Sequence, residues 1–229
     1  MGDDVATRVR AIRERIATAC AAAGRDPESV TLVAASKSQP IEKLRAAWEA
    51  GVHTFGENRV QEAASKQPLL PEAEWHLLGP LQSNKVRQAA ELFTTYHALD
   101  RPKILDGVAA EAERRGTTVD GFVEVNLGGE TSKHGFAPSG LREALAPFRE
   151  LPGLRLVGLM AIPPPGAEAE ASRPWFQKLR ALRDELASTP GWNDFSGWLS
   201  MGMSDDFAVA VEEGATHVRV GSALFGPRG

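Results

Sequence analysis

Short apolar segments alternate with longer segments of helical periodicity along this chain. An apolar stripe first predicts an amphipathic N-terminal helix; it consists of Val5, Val9, Ile12, Ile16, Ala19 and Cys20. Eight short apolar or β-branched runs then predict strands, at Thr31–Ala35, His53–Gly56, Glu74–Leu78, Tyr96–Ala98, Gly121–Asn126, Leu154–Met160, Trp198–Ser200 and His217–Val220. The intervening segments predict helices at 41–50, from 59, 84–92, 104–115, 138–150 and 173–187.

Eight strand-then-helix units predict an α/β protein with a parallel sheet and right-handed crossovers. We expect a single closed (β/α)8 TIM-type barrel with an extra N-terminal helix. An open doubly wound sheet is the alternative, but the chain has neither a Gly-x-Gly-x-x-Gly turn nor a Walker-type phosphate loop. The sequence has no linker long enough to separate two domains, so we expect one domain over residues 1–229.

Composition and charge narrow the class of protein. The chain is 42% hydrophobic and 24% charged, a mixture typical of soluble globular proteins. Its net charge of -4 argues against nucleic acid as the main partner, because nucleic-acid-binding domains are usually basic. We find neither a signal peptide nor an apolar stretch of membrane-spanning length, which predicts a cytoplasmic protein without a membrane partner. The single cysteine, Cys20, lies on the apolar stripe and is predicted to pack there.

Lys37 follows the first predicted strand and is the first candidate for chemistry. In a barrel, binding groups gather at the carboxyl ends of the strands. A lysine at the end of a buried strand is expensive to desolvate, and burial lowers its pKa so that the neutral amine can attack a carbonyl. The alternative is a side chain that extends into solvent and has no function.

Two glycine- and serine-containing segments follow the seventh and eighth predicted strands. The first runs from Ser200 through Met203 and Ser204 to Asp205, and the second begins at Gly221 and Ser222. Barrels often bind phosphate in the loops after these two strands. Each segment also has a structural alternative; Ser204 or Asp205, for example, could cap the next helix.

Arg219 lies on the eighth predicted strand, on the same face as His217. It points either into the barrel mouth or into the helix layer. A guanidinium at the mouth needs an acceptor, either a ring nitrogen or a carboxylate such as Glu57 or Glu124. The lysine, the arginine and the two loops together fit pyridoxal 5'-phosphate (PLP), whose aldehyde, ring nitrogen and phosphate they would bind.

Eight segments of the chain resemble the pyridoxal-phosphate homeostasis proteins, also called the YggS-like or proline synthase co-transcribed family. They cover nearly the whole chain in order, namely 35–37, 55–62, 75–85, 125–126, 132–135, 158–160, 199–206 and 219–222. The most specific are Phe-Gly-Glu-Asn at 55–58 and Leu-Ser-Met-Gly-Met-Ser at 199–204. The chain departs from the family at Ser222, where Thr is common, and in the atypical segment 195–198.

The resemblance implies a fold-type III PLP barrel like the alanine racemase N-terminal domain, with PLP bound as a reversible Schiff base on Lys37. It implies phosphate contacts from Ser200, Met203, Ser204, Gly221 and Ser222. It also implies that Asn58 lies beside the cofactor and Arg219 near its ring nitrogen. We predict no metal ligands.

The choice between carrier and enzyme remains open in the sequence. Related racemases use a tyrosine from an added β-domain as a second base, whereas this chain stops at Gly229 and its single tyrosine is Tyr96. A racemase would therefore need His76 or Lys133 in that role, and an arginine at the ring nitrogen weakens the electron sink.

We therefore expect no catalytic residues and a carrier that stores, buffers or delivers PLP, as a monomer with PLP-dependent apo-enzymes as recipients. Lys85 and Lys133 are either transient acceptors or ordinary solvated lysines. A PLP-dependent racemase is the alternative, and a Schiff-base aldolase using Glu57 ranks last.

Overall fold

Eight parallel strands close into one barrel in chain order, which confirms the predicted fold. The computed structural model describes residues 4–130, 134–164, 168–192 and 195–226. The strands are β1 (Thr31–Ala35), β2 (Thr54–Glu57), β3 (Glu74–Leu77), β4 (Thr95–Leu99), β5 (Val119–Glu124), β6 (Leu154–Met160), β7 (Trp198–Ser200) and β8 (His217–Val220). The pairing of β1 with β8 closes the sheet, with Val33 opposite Arg219.

Helices surround the barrel, and most of them connect successive strands. They are α1 (Val5–Ala22), α2 (Ile41–Glu49), α3 (Val60–Lys66), α4 (Val86–Ala89), α5 (Pro102–Arg114), α6 (Leu141–Leu145), α7 (Arg173–Ala187), α8 (Phe207–Glu212) and α9 (Ser222–Phe225). Helix α1 begins where the Asp4 side chain accepts a hydrogen bond from the Thr7 amide, and it packs against α2, α8 and α9. Its apolar stripe is buried from Val9 to Cys20, as predicted.

The helix predicted over 138–150 is wrong in length. Gly140 adopts a left-handed conformation with φ of 72°, so α6 begins only at Leu141. After Leu145 the chain tightens into a 3₁₀ turn over Ala146–Phe148, where Pro147 cannot supply a helical amide hydrogen bond. The apolar pattern is that of one helix face, but the backbone demands of glycine and proline divide the segment.

The core has two parts, one outside the sheet and one inside the barrel. Most apolar side chains pack between the sheet and the helices. A smaller cluster is formed by Ala98, Phe122, Val157 and Met160 of β4, β5 and β6. Phe122 also contacts His217 of β8, a strand that is not adjacent to β5, so these side chains meet inside the barrel.

None of the helices in the described ranges is long and apolar enough to cross a membrane. Within the same ranges, no group of three or more His, Cys, Asp or Glu side chains could hold a metal ion.

Candidate functional site

A cavity of about 320 Å³ opens at the carboxyl ends of the strands and brings together seven of the eight predicted site residues. The seven are Lys37, Asn58, Met203, Ser204, Arg219, Gly221 and Ser222. The remaining wall comes from Ala35, Gln39, Leu78, Ile162, Asp205 and Gly226. The volume lies at the small end of ordinary ligand pockets, which suits a single small cofactor.

Lys37 lies two residues beyond the end of β1, and its side chain is exposed. The argument from burial, on which the sequence-based interpretation of Lys37 rested, therefore does not apply. Its backbone is nevertheless held firmly on both sides. The amide of Ser36 donates to the Gly56 carbonyl, and the amide of Ser38 donates to Glu62 Oε1 at 2.5 Å. Ser38 has a φ of 59°, a conformation that is uncommon for a residue other than glycine.

A buried ionic cluster lies behind Lys37 and supports this turn. Lys66 Nζ contacts the Ser36 carbonyl at 2.7 Å, Glu57 Oε1 at 2.6 Å and Glu62 Oε1 at 2.7 Å. Ser36 Oγ also donates to Glu57 Oε1, at 2.6 Å. Burial raises the pKa of the Glu57 carboxyl, and the hydrogen bonds from Lys66 and Ser36 oppose that rise. The cluster thus fixes the main chain on both sides of Lys37.

Glu57 does not serve as a free acid or base beside Lys37. Its side chain is fully buried and paired with Lys66. This pairing disfavours the aldolase alternative, which requires an available carboxylate at that position.

The loop after β7 turns sharply and is joined to the loop after β8. Gly202 has a φ of 92°, and a Cβ there would lie 2.5 Å from Ala210 Cβ, so only glycine fits. Asp206 Oδ1 accepts from the Met203 amide at 2.7 Å. The amides of Gly221 and Ala223 both point to Ser204 Oγ, each at 3.2 Å. Ser204 Oγ therefore lies where the two amides converge, and it joins the two loops at the wall of the cavity.

Asn58 follows β2, and its main chain passes close to Gly79, which follows the neighbouring strand β3. A Cβ on Gly79 would lie 2.4 Å from the Asn58 carbonyl oxygen, so the glycine lets the two segments approach. The Asn58 side chain is exposed at the mouth of the cavity.

Arg219 points into the barrel, which decides between the two orientations that the sequence allowed. It is 5% exposed and lines the cavity. Its Nη1 donates to Ser200 Oγ at 2.6 Å, and its Nη2 donates to the Ala161 carbonyl at 3.1 Å. Burial lowers the pKa of Arg219 to about 10, against the opposing effects of Asp206 and Glu124. The guanidinium thus remains charged at neutral pH.

Ser200 is the eighth predicted residue, and it does not line this cavity. It is fully buried inside the barrel, where its hydroxyl contacts Arg219 and lies 2.7 Å from His97 Nδ1. Its contact with phosphate stays a prediction.

A second, larger cavity of about 680 Å³ shares Lys37 and Asn58 with the first. It is rich in cationic side chains, with Arg59, Lys85 and Arg101 on its wall. Arg101 is paired with the buried Asp100, 2.6 Å away. Lys85 is half-buried and lies at the mouth, as predicted. Lys133 lies outside the described residues. Positive charge at the mouth of an acidic protein attracts anionic ligands.

The single tyrosine and one of the two candidate second bases, His76, lie elsewhere, and the other candidate, Lys133, is outside the described residues. Tyr96 is buried against Phe93, with Arg115 and Glu111 as its charged neighbours, and burial raises its pKa. His76 is buried inside the barrel, where its ring lies next to His97. Neither side chain lines the cavity around Lys37.

Sequence reasoning missed several residues of the site. Ile162, which is 47% exposed on the cavity wall, follows β6 and could have been found from its place at a strand end. The Glu62–Lys66 pair has helical i, i+4 spacing, a signal that was available. The contact between His97 and Ser200 joins residues 103 positions apart and had no local signal.

The fold and the cavity define a barrel of the class described as alanine racemase, N-terminal domain. The sequence model of that family matches residues 8–229 of this chain.

Relatives of similar length narrow the family further. The chain is 44% identical to the pyridoxal phosphate homeostasis protein of Aquifex aeolicus, covering 96% of this chain and 97% of the relative. It is also 44% identical to the protein of the same name from Pseudomonas aeruginosa, over 98% and 96% of the two chains. The structure of PipY from Synechococcus elongatus PCC7942, with PLP bound, matches with a TM-score of 0.81 and 39% identity, over 94% of this chain and all of PipY. The chain therefore belongs to the pyridoxal phosphate homeostasis protein family.

Proposed function

We propose that this protein binds PLP in the 320 Å³ cavity through Lys37 and holds it for intracellular storage, buffering or delivery. The observation that carries the proposal is the convergence of Lys37, Arg219 and the loops after β7 and β8 on that one cavity. The likeness to PipY, which was crystallised with PLP, supports the same ligand.

The donors of the cavity match the parts of PLP. The exposed amine of Lys37 would hold the aldehyde through a reversible Schiff base. The Ser204 and Ser222 hydroxyls would donate to the phosphate. The Gly221 amide, which donates to Ser204 Oγ in this structure, would join them when the phosphate displaces that hydroxyl. Met203 and Ile162 offer apolar surface to the ring. Arg219 would face the ring nitrogen. Bound PLP would supply an electrophilic carbon and an electron sink.

The same residues favour a carrier over a racemase. A permanently charged guanidinium opposes protonation of the ring nitrogen, and without that proton the ring is a weaker electron sink. The buried Tyr96 and His76 lie away from the cavity wall, so neither is in position to exchange an α-proton there. Delivery to PLP-dependent apo-enzymes is the proposed use of the bound cofactor.

Absorbance of the purified protein after incubation with PLP tests the binding step. We expect a yellow protein, loss of the colour in Lys37→Ala and retention in Lys85→Ala, which removes a mouth lysine of the neighbouring cavity. A parent protein that stays colourless would refute PLP binding.

Exchange of α-protons for deuterium separates the carrier from the racemase. The PLP-loaded protein should leave alanine and serine unexchanged, because the cavity lacks a placed second base among the described residues. Rapid deuterium incorporation into either amino acid would overturn the carrier proposal in favour of the racemase.

A further inference from the structure

Five polar side chains inside the barrel form a continuous chain of contacts from its mouth to its opposite end. Arg219 Nη1 lies 2.6 Å from Ser200 Oγ, and Ser200 Oγ lies 2.7 Å from His97 Nδ1. His97 Nε2 lies 2.9 Å from His76 Nδ1. His76 Nε2 then lies 3.2 Å from Glu74 Oε1, close enough for electrostatic attraction but without the alignment of a hydrogen bond. Glu74 begins β3 and its side chain is half exposed, so the chain ends in solvent at the amino end of the barrel.

The carboxylate at one end and the guanidinium at the other set the direction of the three hydrogen bonds between them. A guanidinium only donates, so Ser200 Oγ accepts from Arg219. At the other end, the Glu74 carboxylate favours a proton on the facing His76 nitrogen, Nε2, so His76 Nδ1 is left to accept from His97 Nε2. His97 Nδ1 then has no proton and accepts from the Ser200 hydroxyl. Each histidine is therefore assigned a single tautomer by its contacts.

This arrangement requires neutral histidines at both positions. Burial, and next the neighbouring His76, lowers the pKa of His97 well below its usual range. His97 is stacked against Phe122 and fully buried, so its ring has little freedom to turn. The same ring holds the Ser200 hydroxyl in the one orientation that leaves its lone pairs to Arg219.

We propose that His97 and His76 are positioning residues that act through Ser200 to hold the Arg219 guanidinium against the cofactor cavity. The inference rests on the proposed function, because the consequence is a dependence of PLP binding on side chains deep in the barrel. Two of the five guanidinium N–H groups are used by Ser200 and Ala161, which leaves others for a ligand in the cavity that Arg219 lines.

The affinity for PLP in variants of two barrel histidines tests the proposal. His97→Phe keeps a ring in the core but removes both hydrogen bonds, and it should weaken PLP binding by roughly tenfold. It should also shift the absorbance band of the Lys37 adduct, because Arg219 would no longer be fixed at the ring. His97→Gln, which can accept and donate, should restore part of the affinity.

His217→Phe is the matched control. His217 is also a buried barrel histidine, and its ring packs against Phe122, His97 and His76. Its Nδ1 lies 2.9 Å from Thr216 Oγ1, and among the described residues it makes no hydrogen bond to the chain. We expect its affinity and absorbance band to equal those of the parent. Equal losses in His97→Phe and His217→Phe would show general packing damage and overturn the proposal, as would an unchanged His97→Phe.

A measurement without PLP separates this inference from the proposed function. Nitrogen-15 NMR of the ligand-free protein should show both His97 and His76 protonated on Nε2 at neutral pH. A proton on Nδ1 of either ring contradicts the chain even if the parent binds PLP normally. Conversely, the predicted tautomers in a parent that fails to bind PLP would contradict only the proposed function.

Discussion

Lys66 offers the sharpest test of how the turn around Lys37 is held. The side chain is 8% exposed, and its amine contacts the Ser36 carbonyl, Glu57 and Glu62 within 2.7 Å. Lys66→Met keeps the aliphatic stem and removes the charge. Glu57 would then stay fully buried without its cation, and its Oε2 already has no hydrogen-bond partner among the described residues.

The size of the effect follows from this burial. Removing one member of a buried ion pair costs about 3–5 kcal/mol, and protonation of the remaining carboxyl limits the loss to the lower end. A loss of about 3 kcal/mol should lower Tm by roughly 6–12 °C in a protein of this length. The difference in free energy of unfolding between the parent and Lys66→Met should grow from pH 5 to pH 8. Without Lys66, the folded-state pKa of Glu57 rises further above its unfolded value, and the neutral carboxyl is lost as pH increases.

Urea and thermal unfolding measure this loss, with two comparison variants. Glu57→Gln combined with Lys66→Met should recover part of the stability, since no buried charge remains. Arg114→Ala, which breaks a surface pair with Glu111, should leave the unfolding midpoint unchanged. The reasoning is refuted if Lys66→Met unfolds like the parent, or if the double variant is no more stable than the single one.

Two further predictions concern acid and salt. Burial lowers the pKa of His217 to about 3 and that of His97 well below its usual range, so the unfolded chain takes up protons first as pH falls. The free energy of unfolding should therefore decrease as pH falls below about 6.5, by up to about 1.4 kcal/mol per pH unit for each histidine. A free energy of unfolding, measured in urea, that stays constant between pH 7 and pH 5 would contradict this. At the mouth, Arg59→Glu and Lys85→Glu should slow PLP association in stopped-flow measurements, because the cations attract an anionic ligand. That slowing should shrink as salt is added, and a salt-independent change would argue against steering.

Most of the barrel could be predicted because each strand is short, apolar and followed by a helical pattern. Strand β1 agrees residue for residue, and β2 begins one position later than predicted. The segment 138–150 failed because Gly140 and Pro147 set backbone limits that the apolar pattern does not record. Strand ends were predictable positions for binding groups, so Lys37, Asn58 and Ser204 all reach the cavity.

The interior contacts could not be predicted in the same way. A barrel strand is buried on both faces, so hydrophobicity does not tell the inside from the helix layer. Tyr96 and His97 are adjacent and equally buried, yet one packs against Phe93 and the other contacts Ser200 from a distant strand. Closure of the barrel, which no local pattern encodes, brings those partners together.

Borohydride reduction of the PLP-loaded protein, followed by mass-spectrometric mapping of the modified lysine, tests the central claim most directly. The account predicts a single phosphopyridoxyl group on Lys37, with none on Lys66 or Lys85. Modification of another lysine in place of Lys37, or no stable modification after reduction of a yellow sample, would contradict it.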